Sequence, residues 1–136
     1  ILEENSKTKQ ILKRYNEIDS KYQALMEKAR ELAGKKLIYF QYGGSLSLSG
    51  NLANQLIYEY PNINLIVVVF INGDIANISL RGKGNIRKLT LDAISGIEGA
   101  SGGGHESATG AKMSVSDIPK FKENLDRFLK EEIIID

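Results

Sequence analysis

The sequence predicts an α/β domain in which a mixed β-sheet is flanked by helices and preceded by a long N-terminal connecting helix. Apolar residues recur every three to four positions near the N-terminus, a continuous β-branched run occupies residues 64–71, and amphipathic stretches alternate with strand-like ones. With 136 residues, 42% of them apolar, the chain is long enough for one domain with its own core.

A heptad pattern predicts the first helix, from Ile11 to a stop at Gly34. Its apolar positions are Ile11, Tyr15, Ile18, Tyr22, Leu25, Ala29 and Leu32. We expect this face to pack against a sheet or a neighbouring domain, because three heptads with two tyrosines make a modest coiled coil. A homodimer through the same face is the alternative.

Residues 37–42 have strand composition and lead into a stretch rich in glycine and serine, GGSLSLSG. A second helix should follow, with Ser49 or Asn51 as its N-cap and Pro61 ending it. Ser45 and Ser47 have no partnering base and are expected to be loop residues. Tyr39, Phe40 and Tyr42 are expected in the core rather than as a stacking platform for bases.

The β-branched run 64–71 predicts a strand buried on both faces at the centre of the sheet. Asn72-Gly73-Asp74 predicts a tight hairpin, and the alternation over residues 75–81 predicts an antiparallel strand with two different faces.

The rest of the chain predicts a third helix over 86–97, a glycine–histidine loop, a short strand over 111–115 and a last helix. Ser116, Asp117 and Pro119 open that last helix. Its buried stripe is Phe121, Leu125, Phe128 and Leu129.

Charge and composition exclude several classes of protein. Eighteen Lys and Arg residues against seventeen Asp and Glu residues give a net charge of +1, so any anion site must be local. The absence of cysteine excludes disulfides and thiolate chemistry and favours a cytoplasmic protein. No apolar run is long enough for a membrane span, so we expect no membrane partner.

The stretch SGGGHESATG, residues 101–110, holds the only histidine of the chain. Gly102, Gly103 and Gly104 lack Cβ atoms, so their N–H groups can converge on an anion and a ligand can approach the backbone. A hinge or a close-packed crossing are the alternatives. His105 can donate a hydrogen bond to a phosphate oxygen.

A second basic feature lies upstream, in SLRGKGNIRK at residues 79–88, which contains no acidic residue. We favour Arg81 as a phosphate ligand because guanidinium can form two parallel hydrogen bonds to phosphate. Ser79 and Lys83 are accessory candidates, although Lys83, with Arg87 and Lys88, is more typical of a solvated face. The sequence contains neither a metal-ligand cluster nor a nucleophile with a base, so the site is predicted to bind rather than to catalyse.

These residues, in this order of strands and helices, resemble the DHH-associated C-terminal domain of the DHH phosphoesterase superfamily. The resemblance covers residues 35–131 and rests on the Ser79-x-Arg81 pair and on the glycine–histidine motif, which continues to Ala108 and Gly110. Members include RecJ-like single-strand exonucleases, oligoribonucleases of the nanoRNase type, cyclic dinucleotide phosphodiesterases and exopolyphosphatase-related proteins.

The resemblance implies that a pair of Mn or Mg ions is held by a separate N-terminal domain carrying an Asp-His-His motif. Residues 1–34 would be the connecting helix and residues 35–136 the substrate-binding domain of a larger parent, inactive alone. Gly102 to His105 and Arg81 would hold substrate phosphate. Glu106 and Thr109 depart from the motif, where a neutral residue and an alanine are more usual.

The function expected from this resemblance is phosphate or nucleotide binding within a metal-dependent phosphodiesterase, acting as a RecJ-like exonuclease or a short-oligonucleotide hydrolase. Its partners would be single-stranded nucleic acid, a short oligonucleotide or a nucleotide phosphate, together with the N-terminal domain of the same parent. The alternative is a non-catalytic interaction or scaffold module of a replication or repair assembly.

Overall fold

The computed structural model describes the backbone of residues 2–135 and the side chains of residues 5–130, and it contains one five-stranded mixed sheet with helices on both faces. The elements are α1 (Leu2–Glu31), β1 (Leu37–Gly43), α2 (Ser49–Glu59), β2 (Leu65–Asn72), β3 (Ile75–Gly82), α3 (Ile86–Ile94), β4 (Ser101–Gly104), β5 (Ala108–Ser114) and α4 (Ile118–Ile135), with a 3-10 turn at Val115–Asp117. The strand order is β1-β2-β3-β5-β4, in which only β1 and β2 are parallel. The predicted fold class is confirmed.

Two apolar cores lie on opposite faces of the sheet. Helices α3 and α4 cover one face, where Val67, Val69 and Phe121 belong to one core cluster. Helices α1 and α2 cover the other face, where Val68 and Leu52 belong to a second cluster. Consecutive side chains of a strand point to opposite faces, so β2 needs apolar residues at nearly every position. Burial of β2 on both faces is confirmed, but the central strand is β3, because β5 and β4 extend the sheet beyond it.

The heptad face of α1 is buried only in its C-terminal half. Ala29 is fully buried, whereas Ile11 and Tyr15 are 68% and 65% exposed. The most buried large side chain of this helix is Met26, which the heptad pattern omitted. The helix contacts α2 and β1, and its buried residues Met26 and Ala29 lie in its last turns. A straight α-helix also rotates away from a 3.5-residue repeat.

Helix α2 begins without a side-chain cap. Its N-cap is Leu48, and the predicted caps Ser49 and Asn51 both lie inside the helix. Ser49 is buried and bonds across to Ser79 of the sheet instead. The predicted end before Pro61 is confirmed, because the last helical residue is Glu59.

The glycine–histidine segment was predicted to be a loop, but in the structure it forms an edge strand and a tight turn. Gly102, Gly103 and Gly104 form β4 and pair with Ala111, Gly110 and Thr109 of β5. Strand β5 therefore starts at Ala108, three residues before the predicted start. The preceding helix is also shorter than predicted: it ends at Ile94, and Gly96 then takes a left-handed φ of 80°.

Candidate functional site

Half of the sheet is left open on the face that carries α1 and α2. Helix α2 packs on β2 and β3, while the residues of β5 and β4 on this face are exposed or half-buried. We call this surface the glycine shelf. It comprises Asn77, Ser79 and Arg81 of β3, Ala108, Gly110 and Lys112 of β5, and Ser101 and Gly103 of β4.

The local sequence places Arg81 on the shelf. Ala76, Ile78 and Leu80 of β3 are buried in the core under α3 and α4, so the alternate positions must face the other way. The guanidinium Nε of Arg81 donates to Asn54 Oδ1 of α2 at 2.7 Å. The predicted pair of Ser79 and Arg81 thus lies on one face, beside α2.

Main-chain oxygens hold the other side of the Arg81 guanidinium. Its Nη1 donates to the carbonyl of Leu80 at 2.8 Å and to that of Thr109 at 3.1 Å. Its Nη2 lies 3.9 Å from the point where a Cβ of Gly50 would stand, and the described residues offer it no acceptor. Burial lowers the pKa of the Arg81 guanidinium. An arginine side chain is nevertheless a cation at neutral pH.

Hydroxyl groups extend the polar surface next to Arg81. Ser79 Oγ donates to Ser49 Oγ at 3.1 Å, and Ser47 Oγ lies 3.5 Å from Ser49 Oγ. The Tyr42 hydroxyl accepts the N–H of Leu48 at 2.7 Å, and burial raises its pKa. Sequence reasoning missed Asn54 and Ser49, because their partners lie 27 and 30 residues away along the chain.

The three consecutive glycines have different structural roles. A Cβ on Gly104 would stand 2.7 Å from the carbonyl oxygen of Ala108, and its φ is 139°, so the fold requires glycine there. A Cβ on Gly102 would stand 3.0 Å from the Gly110 oxygen and close to α3. Around Gly103 nothing lies within 4 Å of a Cβ position. Close packing therefore accounts for two of the three glycines.

His105 lies in the turn between β4 and β5. Its N–H donates to the carbonyl of Ala108 at 3.0 Å, and the residue is exposed. Ala108 is the partner of Arg81 across the sheet, so the backbones of His105 and Arg81 are separated by two strand spacings, about 10 Å. Glu106 anchors this turn, because its carbonyl accepts the N–H groups of Ile86 and Arg87 at the start of α3.

The motif departure Thr109 has a partner in this structure. Its hydroxyl is buried under the sheet, 2.6 Å from Thr90 Oγ1 of α3. Thr90 itself donates to the carbonyl of Ile86 at 2.8 Å. Because a hydroxyl has a single hydrogen, Thr109 must donate to Thr90. The departure is thus matched by a polar residue on the facing helix.

Lys83 lies apart from the shelf. It lines a depression of about 400 Å³ under α3 and α4, on the other side of the sheet, together with Lys36, Asp126 and Lys130. Arg87 and Lys88 are exposed on α3. The structure therefore brings Ser79, Arg81 and Gly103 onto one face and separates Lys83 from them.

The described side chains include no group of three or more His, Cys, Asp or Glu residues that could share a metal ion. No helix within residues 2–135 combines the length and the apolarity that crossing a membrane requires.

The shelf offers a fixed guanidinium, hydroxyl groups and bare backbone, without a nucleophile–base pair. The fold and the site thus define an α/β domain suited to holding an anion. The DHHA1 domain family matches residues 20–131, which is most of the chain. The chain belongs to the DHHA1 domain family.

A curated relative of this chain is a larger protein. An uncharacterised protein of Methanocaldococcus jannaschii is 29% identical over 116 residues, which are 80% of this chain and 26% of that protein. The chain therefore spans about a quarter of the curated relative that it matches.

Solved structures share the fold at low identity. The pGpG-specific phosphodiesterase PggH of Vibrio cholerae has a TM-score of 0.58 at 14% identity, covering 88% of this chain and 42% of that one. RecJ of Thermus thermophilus, solved with Mg²⁺, also has a TM-score of 0.58, at 17% identity, and the match covers 90% of this chain and 20% of that one. The C-Ala domain of Aquifex aeolicus alanyl-tRNA synthetase has a TM-score of 0.55 at 19% identity, and the match covers 70% of this chain and 87% of that one.

Proposed function

We propose that this chain is the phosphate- and nucleotide-binding domain of a metal-dependent DHH-family phosphodiesterase acting on single-stranded nucleic acid or short oligonucleotides. The observation that carries the proposal is the placement of Arg81. Three of its hydrogen bonds fix the guanidinium at the border of the shelf, while Nη2 keeps its donors for a ligand. A cation held in this way loses little conformational entropy when it binds phosphate.

The comparisons support a phosphodiester substrate. PggH is described as pGpG-specific and RecJ was solved with Mg²⁺, and this chain covers less than half of either protein. The Mn or Mg ions would belong to an N-terminal domain of the parent, as would the catalytic step. Residues 1–34 would connect that domain to residues 35–136.

Within the domain, we assign phosphate binding to Arg81, with Ser79 as an accessory hydroxyl donor. Gly102 to Gly104 would let the substrate approach the backbone, and the exposed His105 would donate to a phosphate oxygen from the turn. Lys83, on the opposite side of the sheet, would contribute only to the long-range attraction of anions.

The test is calorimetric titration of the 136-residue chain with a 5′-phosphorylated trithymidylate. Arg81→Lys keeps the charge but loses the planar fork, so the dissociation constant should rise about tenfold or more, equivalent to about 1.4 kcal/mol. Arg87→Lys is the matched control, because Arg87 is exposed on α3 away from the shelf. Equal affinities of the folded Arg81→Lys variant and the wild-type chain would refute the proposal.

In the intact parent, His105→Ala should lower kcat/KM about tenfold. Unchanged turnover in that variant would remove His105 from the site.

A non-catalytic interaction module is the second candidate, and α1 favours it. Ile11, Leu12 and Tyr15 of its N-terminal half are more than half exposed. Such a stripe suits a scaffold contact or a homodimer. The residues upstream of this chain discriminate the two candidates: a parent without the Asp-His-His ligands could not hold the metal pair, whereas a parent with them favours the phosphodiesterase.

A further inference from the structure

The glycine shelf extends well past Arg81. The strand register divides it into three rows across β3, β5 and β4. Arg81 and Ala108 form the first row and Ser79, Gly110 and Gly103 the second, while the third row comprises Asn77, Lys112 and Ser101. Successive rows are two residues apart along the strands, about 7 Å, so the first and third rows are about 14 Å apart.

The far part of the shelf is a depression of about 350 Å³ between the second and third rows. Its lining includes Asn77, Ser79, Ser101 and Lys112, and its floor includes Gly110. Arg81 is not among the lining residues, so this depression lies beyond the Arg81 row, with Ser79 at its near edge.

The charges along the shelf favour a ligand with more than one anionic group. The three rows contain two cations, Arg81 and Lys112, at opposite ends, and no acidic residue. Lys112 is exposed and makes no ion pair with any residue in the described part of the chain. It is therefore available to a second phosphate at the far end.

The glycine between the two cations is not required by the fold. Gly110 has no positive φ, and the nearest atom to its Cβ position is the Ile78 carbonyl oxygen at 3.5 Å, an ordinary contact. A methyl group would thus fit the protein and would stand on the open face. The absence of one leaves a bare path between the Arg81 row and Lys112.

We infer that the shelf binds a single-stranded oligonucleotide of at least two nucleotides, with one phosphate at Arg81, the backbone crossing over Gly110, and a later phosphate at Lys112. This rests on the proposed function. Asn77 and Ser101 flank the far end and present hydrogen-bonding groups to the sugar or base next to that phosphate. Lys112 is thereby a determinant of substrate length, and a mononucleotide uses Arg81 alone.

The experiment is titration of the 136-residue chain with 5′-phosphorylated oligothymidylates of one, two and three nucleotides. In the wild type, affinity should rise about tenfold or more from one nucleotide to the longest ligand. Lys112→Ala should remove most of this gain and leave mononucleotide affinity within about twofold. Lys120→Ala is the matched control, because it removes the same charge from an exposed position on α4 and should preserve the gain.

A second variant tests the path without changing charge. Gly110→Val should weaken the two longer ligands at least fivefold while mononucleotide binding and the melting temperature stay near wild type. The inference would be overturned if affinity still rose with ligand length in both Lys112→Ala and Gly110→Val. It would also be overturned if the affinity of the wild type did not rise with ligand length. The proposed function fails separately, when Arg81→Lys leaves the affinity of even the mononucleotide unchanged.

Discussion

The buried threonine pair under the shelf gives a prediction whose size can be worked from its geometry. Thr109 donates to Thr90 at 2.6 Å and Thr90 donates to the Ile86 carbonyl at 2.8 Å. Thr109→Val removes only the first donor, so Thr90 stays bonded, and we expect a cost of about 1 kcal/mol. Thr90→Val instead leaves the Thr109 hydroxyl buried without an acceptor, which should cost about 2 kcal/mol.

The double variant decides whether this interpretation is right. Thr90→Val combined with Thr109→Val leaves no unpaired hydroxyl, so it should cost about 1 kcal/mol rather than the additive 3 kcal/mol, a coupling of about 2 kcal/mol. Urea unfolding of the wild type and the three variants, followed by circular dichroism, measures the four free energies. Costs that add within about 0.5 kcal/mol would refute the hydrogen-bond direction and the pairing deduced here.

Two further predictions concern stability. Gly104→Ala should destabilise the chain by at least about 1 kcal/mol more than Gly103→Ala, because only the Gly104 methyl would meet a carbonyl oxygen, at 2.7 Å; equal urea midpoints would contradict this. Burial, with a smaller contribution from Asp126, raises the pKa of Tyr39 above 10.0, and its hydroxyl has no partner among the described residues. The folded state disfavours the tyrosinate, so the unfolding free energy holds below pH 10 and falls as the pH rises towards the folded-state pKa. Tyr39→Phe should leave stability at pH 7 unchanged or higher and reduce the fall between pH 9 and 11 in urea titrations; a steeper fall would contradict this.

The sequence predicts helices and strands well where apolar residues recur at a regular spacing. Strand β2 was predicted from its continuous apolar run, and Phe121 and Leu125 of α4 from their helical spacing; all of these are buried. The same logic failed for α1, because it assumes that a repeat is buried along its whole length. Only tertiary contact decides which turns are covered, and the buried residues Met26 and Ala29 lie in the last turns of α1.

The site was only half predictable. Arg81 and the glycines were predicted as phosphate ligands because guanidinium and bare backbone suit phosphate wherever they lie, and that assignment stays a prediction. The groups that orient Arg81 could not be found, since Asn54 and the Thr109 carbonyl have no local signal and join it across 27 and 28 residues. Lys112 was overlooked for a similar reason: an exposed lysine becomes informative only once the register places it on the same face as Arg81.

The glycines of the motif differ in how strongly the fold requires them. Gly104 is fixed by the Ala108 oxygen and by its φ, and Gly102 by contacts with Ile94 and Ala111, so both act on the fold. Gly110 has an ordinary backbone conformation and room for a methyl group. Gly110 lies between Arg81 and Lys112, and under the proposal of an oligonucleotide ligand its bare backbone is where the ligand comes close. Steric fit at Gly110 therefore separates a ligand role for this glycine from the packing roles of Gly102 and Gly104.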